Sequence, residues 1–545
     1  MEQLLGTVAS FMSRRGIAAH VVGGAVRDRL LGSQGPRPGA SEAGYRDIDI
    51  AVSASVVELA DELAEATGGV AVVMDAERGH VRLVVEDSSA DGHQWLDLTW
   101  DGGDFDSDLA RRDFTINAMA VPLDRWAEPV KDALIDPQRG ADDLRDRVVR
   151  ETRPGNLVSD PVRLLRAVRF ASQLEFELDG GTAAVIADNA RLLGTVSGER
   201  VRDEFFELMA GRSPADAVRE LDRLGLLDQL LPELTAGRGV DQPREHFYDV
   251  MEHQLQALEL AGRLVNRESR SSDPVLSRAP WRPEFDDYLG EVIGDGQTRA
   301  TLLKTVALLH DIGKPECKSL DPPTADRPNG RIRFLGHDRR GAEMARGLLH
   351  RLRCSRRTVA HVSLMIEEHL RPSQMSTDWA RPTDRAIFRY FRDVSPVAVD
   401  TVLLNLCDYL AARGPLLEGP EFERYFEMLG DILSRGLEPE PKRFSADLLL
   451  DGRQVQERFG LQPGPEIGRL LGALRHDESS GAVRTRAEAY EMLARLLRAG
   501  SIASWETLIE TISKRTGSAR NLIRLERCRD RGADVQGGHA YLGSG

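Results

Sequence analysis

The hydrophobic periodicity of the chain changes at about residue 142. Before that point, short apolar segments such as Asp47–Val52 alternate with a period of two, which is typical of half-buried strands. After it, apolar residues recur at steps of three and four, as in Val162–Ala171 and Arg200–Met209, which is typical of amphipathic helices. We therefore predict an α+β protein with an N-terminal mixed-sheet head, followed by an all-α neck, a further helical domain and a helical tail.

Length and charge limit the classes of protein that fit. The 545 residues suggest three or four domains of about 150 residues each. Shifts in pattern place the boundaries at 1–141, 142–240, 241–415 and 416–545. A hydrophobic content of 41% excludes wholesale disorder. The formal net charge of −15 excludes a globally basic nucleic-acid-binding protein, so any polyanion must meet a local positive patch.

Cysteine spacing and hydropathy indicate the compartment. The four cysteines are far apart and form no CxxC pair, which argues against a disulfide framework or a zinc knuckle. The chain has no run of 18 apolar residues that predicts a membrane span, and its N-terminus lacks the apolar core of a signal peptide. We expect a cytoplasmic protein whose Gly-rich end after Arg531 is disordered.

A pair of glycines marks a strand-to-helix turn in the head. Gly23 and Gly24 let the backbone approach a phosphate, and the helix that follows offers free N–H groups. Arg27, one turn into this helix, is placed to reach the same anion. Taken alone, the pattern fits equally well a tight turn in any α/β fold.

Two aspartates follow on a predicted strand. Asp47 and Asp49 are two residues apart and therefore share one face of the strand, while Ile48 and Ile50 favour a packed opposite face. Two carboxylates this close repel each other unless a divalent cation lies between them. The alternative is a solvated edge strand, but the glycine turn upstream favours a metal site.

A third motif combines adjacent arginines with a buried-looking segment. Arg111 and Arg112 precede Asp113 and Asn117 in RRDFTIN, and adjacent arginines at such a place favour a polyanion ligand. A surface turn is the alternative. We predict that Thr115–Val121 forms a strand.

Taken in order, GGAVRD, DID and RRDFTINAMA resemble the class II nucleotidyltransferase family, which contains bacterial CCA-adding tRNA nucleotidyltransferases and poly(A) polymerases. Asp136–Leu144 resembles its hinge motif, Asp160–Phe170 its nucleobase-template helix, and Glu199–Arg202 its last neck motif. The resemblance covers about residues 18–210. Three departures are an insertion at 33–44, Ser159 in place of Glu, and Arg139 in place of a hinge glycine.

The resemblance implies addition of C, C and A to a tRNA 3′ end from CTP and ATP, without a nucleic-acid template and with release of pyrophosphate. Asp47 and Asp49 would hold Mg²⁺ against the α-phosphate. Asp97 is a candidate third carboxylate, with a half-exposed strand aspartate as the alternative. The nucleotide-binding residues implied are Gly24, Arg27, Arg111, Arg112, Asp113, Asn117, Asp160, Arg163, Arg166 and Arg169. A poly(A) polymerase that tails RNA with ATP remains the alternative, because the head motifs are shared.

Hydrogen-bond polarity explains how protein alone selects C and A. Asp160 and Arg163 are one helical turn apart and share a face. A carboxylate accepts from the exocyclic amines of cytosine and adenine, and a guanidinium donates to their ring acceptors. Uracil and guanine would place a carbonyl against the carboxylate. Arg166 and Arg169 continue the helix at three-residue steps, and an ordinary charged helix face is the alternative.

Histidines and aspartates form a second set of motifs. The segment LLHDIGK contains His310 and Asp311, and the order of the other candidates resembles the HD phosphohydrolase superfamily. The six predicted ligands of a dinuclear site are His253, His310, Asp311, His337, His369 and Asp408. The resemblance implies a divalent transition metal and an HD domain that is either a phosphohydrolase or a metal-binding support for RNA. A third reading of the chain is an HD phosphohydrolase with a nucleotide-binding head.

The segment Arg339–Arg357 is strongly basic for a chain of net charge −15. We predict that it meets the acceptor or T arm of tRNA. The arginines proposed to bind RNA are Arg339, Arg340, Arg351 and Arg353. The alternative is a solvated helix face paired with acids elsewhere. The sequence does not indicate an oligomeric state.

Overall fold

A computed structural model describes residues 1–32, 47–87, 92–323, 330–375, 381–417, 419–436, 449–462, 464–480 and 483–498. The chain divides into two compact units. The first comprises Met1–Pro382 and Val394–Leu437, and the second comprises Thr383–Asp393 and Glu438–Gly545. The predicted insertion 33–44 and the predicted disordered end lie outside the described residues.

The head is built on a six-stranded mixed sheet in the order β3-β4-β5-β2-β1-β6. Its strands are β1 (Ala19–Val22), β2 (Asp47–Val52), β3 (Val70–Asp75), β4 (His80–Asp87), β5 (Gly92–Trp100) and β6 (Ala120–Pro122). Strand β2 runs parallel to β5 and antiparallel to β1. The helices are α1 (Glu2–Arg14), α2 (Gly24–Leu30), α3 (Val56–Thr67), α4 (Phe105–Arg111), α5 (Val130–Ala133) and α6 (Gly140–Asp146).

The predicted strand Thr115–Val121 is wrong in its first half. Thr115–Asn117 is a 3-10 helix, and the strand begins at Ala120. The Asp113 carboxylate accepts hydrogen bonds from the Phe114 N–H and the Asn117 side chain, which closes a turn where the apolar pattern predicts an extended backbone.

The neck is helical apart from one ladder of two-residue strands, β7 (Val148–Val149) and β8 (Glu177–Leu178). Its helices are α7 (Asn156–Ser159), α8 (Val162–Leu174), α9 (Gly180–Asn189), α10 (Gly198–Ala210), α11 (Pro214–Arg223), α12 (Leu227–Leu230) and α13 (Pro232–Thr235). Helix α8 packs on α10 and α11. Val168 of α8 and Phe205 of α10 are among the buried apolar residues of these helices.

The third region is a helical bundle. Its helices are α14 (Val250–Val265), α15 (Arg267–Ser272), α16 (Glu284–Gly290), α17 (Arg299–Leu309), α18 (Lys314–Cys317), α19 (His337–Arg351), α20 (Arg356–Glu368), α22 (Ala398–Arg413) and α23 (Gly419–Gly436). Two short hairpins decorate it, formed by β9 (Val292–Gly294) with β10 (Gln297–Thr298) and by β11 (Ser319–Asp321) with β12 (Arg331–Arg333). Helices α14, α17 and α22 are buried almost all round, which makes them the core of the bundle.

The second unit contains α21 (Asp384–Val394), α24 (Gly452–Phe459), α25 (Pro465–Ser480) and α26 (Arg486–Arg498). Its core includes Leu450, Val455, Leu470 and Leu493. The architecture confirms the predicted α+β class, with a mixed-sheet head followed by helical regions. Within the described ranges, no single helix is long and apolar enough to cross a membrane.

Candidate functional site

At the glycine turn of the head, a carboxylate and a guanidinium lie close to the same backbone position. Gly23 has a φ of +76°, which favours glycine, and it precedes the first residue of α2. A Cβ built on Gly23 would lie 3.5 Å from Asp49 Oδ2 and 3.4 Å from Arg112 Nη1. The structure therefore brings Asp49 and Arg112 to the glycine corner, with Gly24 opening the helix beside them.

The acidic strand has the predicted two faces. Ile48 and Ile50 are buried, and Asp49 between them is exposed. The backbone of Asp47 pairs with that of Trp95 in β5, but the side chain of Asp47 lies outside the described residues.

Asp97 is the partner of Asp49 in the register between β2 and β5. Its carboxylate accepts from Arg82 Nε at 2.8 Å and Nη2 at 2.6 Å, and His80 Nε2 lies 3.4 Å away. Burial alone would raise the pKa of Asp97, but Arg82 and His80 hold it below its usual value. Arg82 is a neighbour of the site that no motif indicated.

Arg27 and Asn117 are buried beneath the corner. Arg27 donates to Asn117 Oδ1 at 2.8 Å and to Asp28 Oδ1 at 2.6 and 2.8 Å. A direct contact of Arg27 with a triphosphate stays a prediction, and it requires these bonds to exchange. In this structure Arg27 supports the turn.

The two adjacent arginines differ in exposure. Arg112 donates to Asp108 at 3.3 Å and is mostly covered. Arg111 is half exposed and donates to Ser107 Oγ at 2.8 Å. Arg112 is therefore the one of the pair that faces the glycine corner.

Asp113 connects the head to the neck. Its carboxylate accepts from Arg166 Nε at 2.9 Å. Burial alone would raise the pKa of Asp113, but Arg166 and the bonds from Asn117 and Phe114 hold it below its usual value. The side chain thus carries a buried charge that Arg166 neutralises.

The predicted base-selecting residues lie together, but they do not share a helix face as predicted, because Asp160 precedes α8 and has non-helical backbone dihedrals (φ −142°, ψ 87°). Arg163 Nε is 3.8 Å from Asp160 Oδ2, and Arg163 Nη1 also donates to the carbonyls of Arg111 and Asn156 at 3.1 Å. Arg200 of α10 forms a two-pronged pair with Asp160, with both N–O distances 2.8 Å. The hydrogen bond from Arg200 is the main cause of the lowered pKa of Asp160.

Arg166 and Arg169 point towards α10 and share a buried acid. Glu204 Oε1 lies 3.4 Å from Arg166 Nη1, and Glu204 Oε2 lies 2.8 Å from Arg169 Nε. Burial raises the pKa of Glu204 and lowers that of Arg169. Because both arginines pair with Glu204 of α10, they support helix α8 in this structure.

The hinge motif shows why Arg139 is a departure. Arg139 has a φ of +57°, in the left-handed region where glycine is unstrained. Asp136 accepts from the N–H of Gly140 at 2.7 Å and of Ala141 at 2.9 Å, so its carboxylate caps α6. Gly140 itself is in contact with backbone, since a Cβ there would lie 2.1 Å from Thr115 O.

The six predicted ligands of the helical bundle converge on Asp311. On one side, His253 Nε2 lies 3.3 Å from His310 Nε2, 3.3 Å from Asp311 Oδ2 and 3.0 Å from Asp408 Oδ1. On the other side, Asp311 Oδ1 lies 3.2 Å from His337 Nε2 and 3.8 Å from His369 Nε2. Asp311 therefore belongs to both groups of side chains that could hold a metal ion.

Backbone carbonyls orient three of these imidazoles. The Nδ1 atoms of His310, His337 and His369 lie 2.9, 2.6 and 2.7 Å from the carbonyls of Ala307, Phe334 and Ile366. If Nδ1 donates the proton, Nε2 turns a lone pair towards the centre, as metal-ligating histidines require. The buried atoms His337 Nε2 and both oxygens of Asp311 make no well-aligned hydrogen bond. The donor set fits divalent cations.

Other residues complete this centre. Lys314 Nζ pairs with Asp311 Oδ2 and donates to Gln242 Oε1 at 2.7 Å. His246 packs edge-on against His253, with ring centres 5.2 Å apart. Lys314 lies in the HDIGK motif. Gln242 and His246 lie in the loop before α14, and no periodic pattern in the sequence identifies them. A Cβ on Gly313 would lie 2.5 Å from Gly341 N, so the motif needs glycine where α18 meets α19.

The basic segment is partly neutralised. Arg340 pairs with Glu316 and Glu343, and Arg351 pairs with Glu233 at 2.8 Å. Arg339 is exposed, and no acid pairs with it among the residues that the structure describes. Arg353 is exposed and lies 4.0 Å from Glu199. Of the four predicted RNA-binding arginines, Arg339 and Arg353 are thus the most available for phosphate contacts.

Family models match three successive segments of the chain. The poly A polymerase head domain matches residues 19–150, the probable RNA- and SrmB-binding site of polymerase A matches residues 175–237, and the HD domain matches residues 250–413. The four predicted domain boundaries themselves stay predictions. The fold and the two centres define a nucleotidyltransferase with an HD domain.

Similar proteins narrow the class. The A-adding tRNA nucleotidyltransferase of Deinococcus radiodurans is 34% identical over 88% of this chain and 95% of its own length. The CC-adding tRNA nucleotidyltransferase of Thermus thermophilus is 33% identical over 87% of this chain and 93% of its own length. The chain belongs to the tRNA nucleotidyltransferase family.

Solved structures share the fold. A CCA-adding enzyme in an apo form gives a TM-score of 0.54 at 20% identity, covering 90% of this chain and 93% of that one. The Thermotoga maritima CCA-adding enzyme, solved with tRNA, gives 0.51 at 21% identity, covering 91% and 94%. These values show that the chain shares the fold of these enzymes.

Proposed function

We propose that this enzyme adds C, C and A to the 3′ end of tRNA from CTP and ATP, without a nucleic-acid template and with release of pyrophosphate. The observation that carries the proposal is the approach of both Asp49 and Arg112 to Gly23. An acid, a guanidinium and the first N–H groups of a helix then face one point, which suits a metal-bound triphosphate.

The residues of the head divide the work of the reaction. Asp47 and Asp49 would hold Mg²⁺, which when bound lowers the pKa of the attacking 3′ hydroxyl and neutralises charge on the α-phosphate. Arg112 and the start of α2 bind the triphosphate and orient the pyrophosphate as leaving group. Arg27 and Asn117 keep the turn in place from below.

Base selection rests on the start of α8. The Asp160 carboxylate accepts from an exocyclic amine, and Arg163 donates to a ring nitrogen or carbonyl. In this structure Arg200 occupies the Asp160 carboxylate. An incoming base therefore shares or displaces that pair. C and A place an exocyclic amine donor against the carboxylate, whereas U and G place a carbonyl there.

The test uses tRNA lacking its 3′ terminal residues. CTP alone, ATP alone and both together are supplied, and the products are sequenced. CMP addition followed by one AMP supports the proposal. Addition of CMP alone, or of AMP only to tRNA ending in CC, would reduce the function to that of the CC-adding or A-adding relatives, and a long A tail would indicate a poly(A) polymerase.

A second activity is supported by the helical bundle. We propose that the HD domain is a phosphohydrolase that uses two divalent transition-metal ions. His253, His310, Asp311 and Asp408 would hold one ion, and Asp311, His337 and His369 the other. A bound pair of such ions activates a water for attack on a phosphate ester. Buried ligand atoms without well-aligned hydrogen bonds support this reading over that of a purely structural bundle.

The phosphohydrolase is tested with a chromogenic phosphodiester and with Mn²⁺, Co²⁺ or Ni²⁺ in turn. Turnover that needs metal and disappears in His310→Ala supports the proposal. The matched control is His350→Ala, an exposed histidine at the end of α19. Metal binding by the native protein without turnover of any ester would leave the domain as a support for RNA.

A further inference from the structure

Helix α10 begins against a loop of the HD domain. A Cβ on Gly198 would lie 2.2 Å from Arg351 O and 3.1 Å from Arg353 Cγ. One turn on, Arg202 Nη1 donates to Arg353 O at 3.1 Å and lies 3.8 Å from Asp295 Oδ1. The start of α10 is therefore packed on the backbone of 351–353, with no room for even a methyl group.

The HD side of this contact is held firmly. The second oxygen of Asp295 accepts from Ser355 N at 2.8 Å, directly after the contact loop. Arg351 is anchored on Glu233 by two bonds of 2.8 and 3.1 Å. Arg353 adopts a φ of +56°, which fixes the turn between α19 and α20. The loop is a fixed support for α10.

The other side of the same helical turn carries Arg200. Residues 200 and 202 are about 200° apart around a helix, so their side chains leave on opposite sides. Arg200 holds Asp160 by two bonds of 2.8 Å, whereas Arg202 holds the HD loop. A shift of α10 on one side therefore moves the partner of the base-selecting carboxylate on the other.

We infer that the HD loop 351–355 positions the base-selecting pair, with Gly198 and Arg202 as the positioning residues. The inference rests on the proposed base selection by Asp160. The HD domain sets where α10 starts, the helix sets where Arg200 lies, and Arg200 sets the orientation of Asp160. The HD domain thus takes part in nucleotide choice without touching the nucleotide.

The experiment compares Gly198→Ala with Gly194→Ala in the full-length enzyme. Gly198→Ala forces the helix start away from Arg351 O, whereas a Cβ on Gly194 meets nothing within 4 Å. Incorporation of all four nucleotides into truncated tRNA is measured, with KM and kcat separated. We expect Gly198→Ala to raise KM for CTP and ATP and to raise UMP misincorporation about tenfold, because misplacement of about 1 Å is costly at a positioned site. Gly194→Ala should match the native enzyme.

A second variant and a double mutant keep the inference falsifiable. Arg202→Gln removes the bond to the loop without crowding, and it should relax selectivity in the same direction. In an Asp160→Ala background, Gly198→Ala should add no further loss of selectivity, because the two changes act through one carboxylate. A fall in kcat with unchanged selectivity in both single variants would overturn the inference and leave a merely structural contact.

Failure of the proposed function has a different signature. Amide hydrogen exchange of residues 156–166 is followed in the same proteins, and it does not depend on activity. Faster exchange in Gly198→Ala, together with a native enzyme that does not distinguish C and A from U, would contradict the base-selection proposal while showing that the loop supports the helix. Exchange identical to that of Gly194→Ala would contradict the positioning itself.

Discussion

The two acid-rich centres of the molecule differ in how complete they are. In the head, Asp49 is exposed, and it and Arg112 both lie close to Gly23. In the HD domain, His253, His310, Asp311 and His369 are at most 1% exposed, and their ligand atoms already face one another. The head groups few candidate metal ligands, whereas the HD domain groups six side chains that could hold metal ions.

The chemistry of the ligands explains the difference. Magnesium keeps several waters and is usually held by one or two carboxylates together with substrate phosphates, so an open site suits it. Transition metals accept several imidazoles, each of which must be neutral and must point a nitrogen lone pair at the metal. The carbonyl partners of His310, His337 and His369 provide that orientation. On the proposed functions, the head would complete its metal site with substrate phosphates, whereas the HD domain would supply most ligands from protein and leave a position for the attacking water.

The largest expected effect separates the two centres by activity. Asp49→Ala should lower nucleotide addition by about a thousandfold or more, because the cation that stabilises charge at the α-phosphate loses a ligand. Phosphodiester turnover should be unchanged. His310→Ala should show the opposite pattern. Rates of both reactions in both variants check this, with Asp61→Ala on the exposed face of α3 as control.

An Asp49→Ala enzyme that adds nucleotides normally would remove the transferase assignment from the head. Loss of addition in His310→Ala would show that the HD centre also supports tRNA docking. Either result would break the separation between the two centres.

A second prediction concerns Asp113, a buried carboxylate that is paired with the guanidinium of Arg166. Asp113→Ala removes the buried partner of Arg166, whose side chain is 34% exposed, and leaves Glu204 as its main counter-charge. Removing one partner of a buried pair costs about 3–5 kcal/mol, so the urea midpoint should fall strongly and should not depend on added metal. Asp113→Asn keeps the shape of the side chain, so its urea midpoint should fall less. A free energy of unfolding within about 0.5 kcal/mol of the native value, as expected for the surface control Asp61→Ala, would contradict the prediction.

Local motifs predicted only part of each centre. GGAVRD, DID, RRD and HDIGK each fix neighbours within one turn or strand, and the structure brings Asp49 and Arg112 to Gly23. His253, His337, His369 and Asp408 lie outside these motifs and were indicated only by the resemblance to the HD superfamily; the structure groups them with His310 and Asp311. Asp160 lies 3.8 Å from Arg163, but it precedes α8 and is not helical, so the helical spacing assumed from the sequence is not the cause of their proximity. What these motifs share is short sequence separation within each element.

The residues that escaped prediction come from distant parts of the chain. Arg200 meets Asp160 from forty residues away, and Arg82 meets Asp97 across two antiparallel strands. Such pairs depend on helix packing and strand register, which one sequence does not specify by spacing. The false strand at Thr115 has a local cause, since Asp113 closes a turn that an apolar pattern does not show.

A third prediction concerns the stabilisation of the folded protein by bound metal. Mn²⁺ at about a hundredfold excess over its dissociation constant should stabilise the protein by about 2.7 kcal/mol, because the complete site of the HD domain binds it before substrate arrives. Thermal melting with Mn²⁺ and with a chelator checks this. The gain should survive Asp49→Ala and disappear in His310→Ala. A gain that disappears in Asp49→Ala instead would mean that the head is the preformed centre.

The smallest effects are expected at the hinge, where the open head centre joins the neck. Gly140→Ala should destabilise by about 1–3 kcal/mol, because its Cβ would press on the backbone at Thr115. Arg139→Gly, one residue earlier, should change stability by less than about 1 kcal/mol. Relief of the left-handed conformation is offset there by the greater freedom of glycine in the unfolded chain. Urea midpoints of the two variants check the order. Equal losses would mean that Arg139 makes an essential contact through Asp142, and the hinge would then be as fixed as the HD centre.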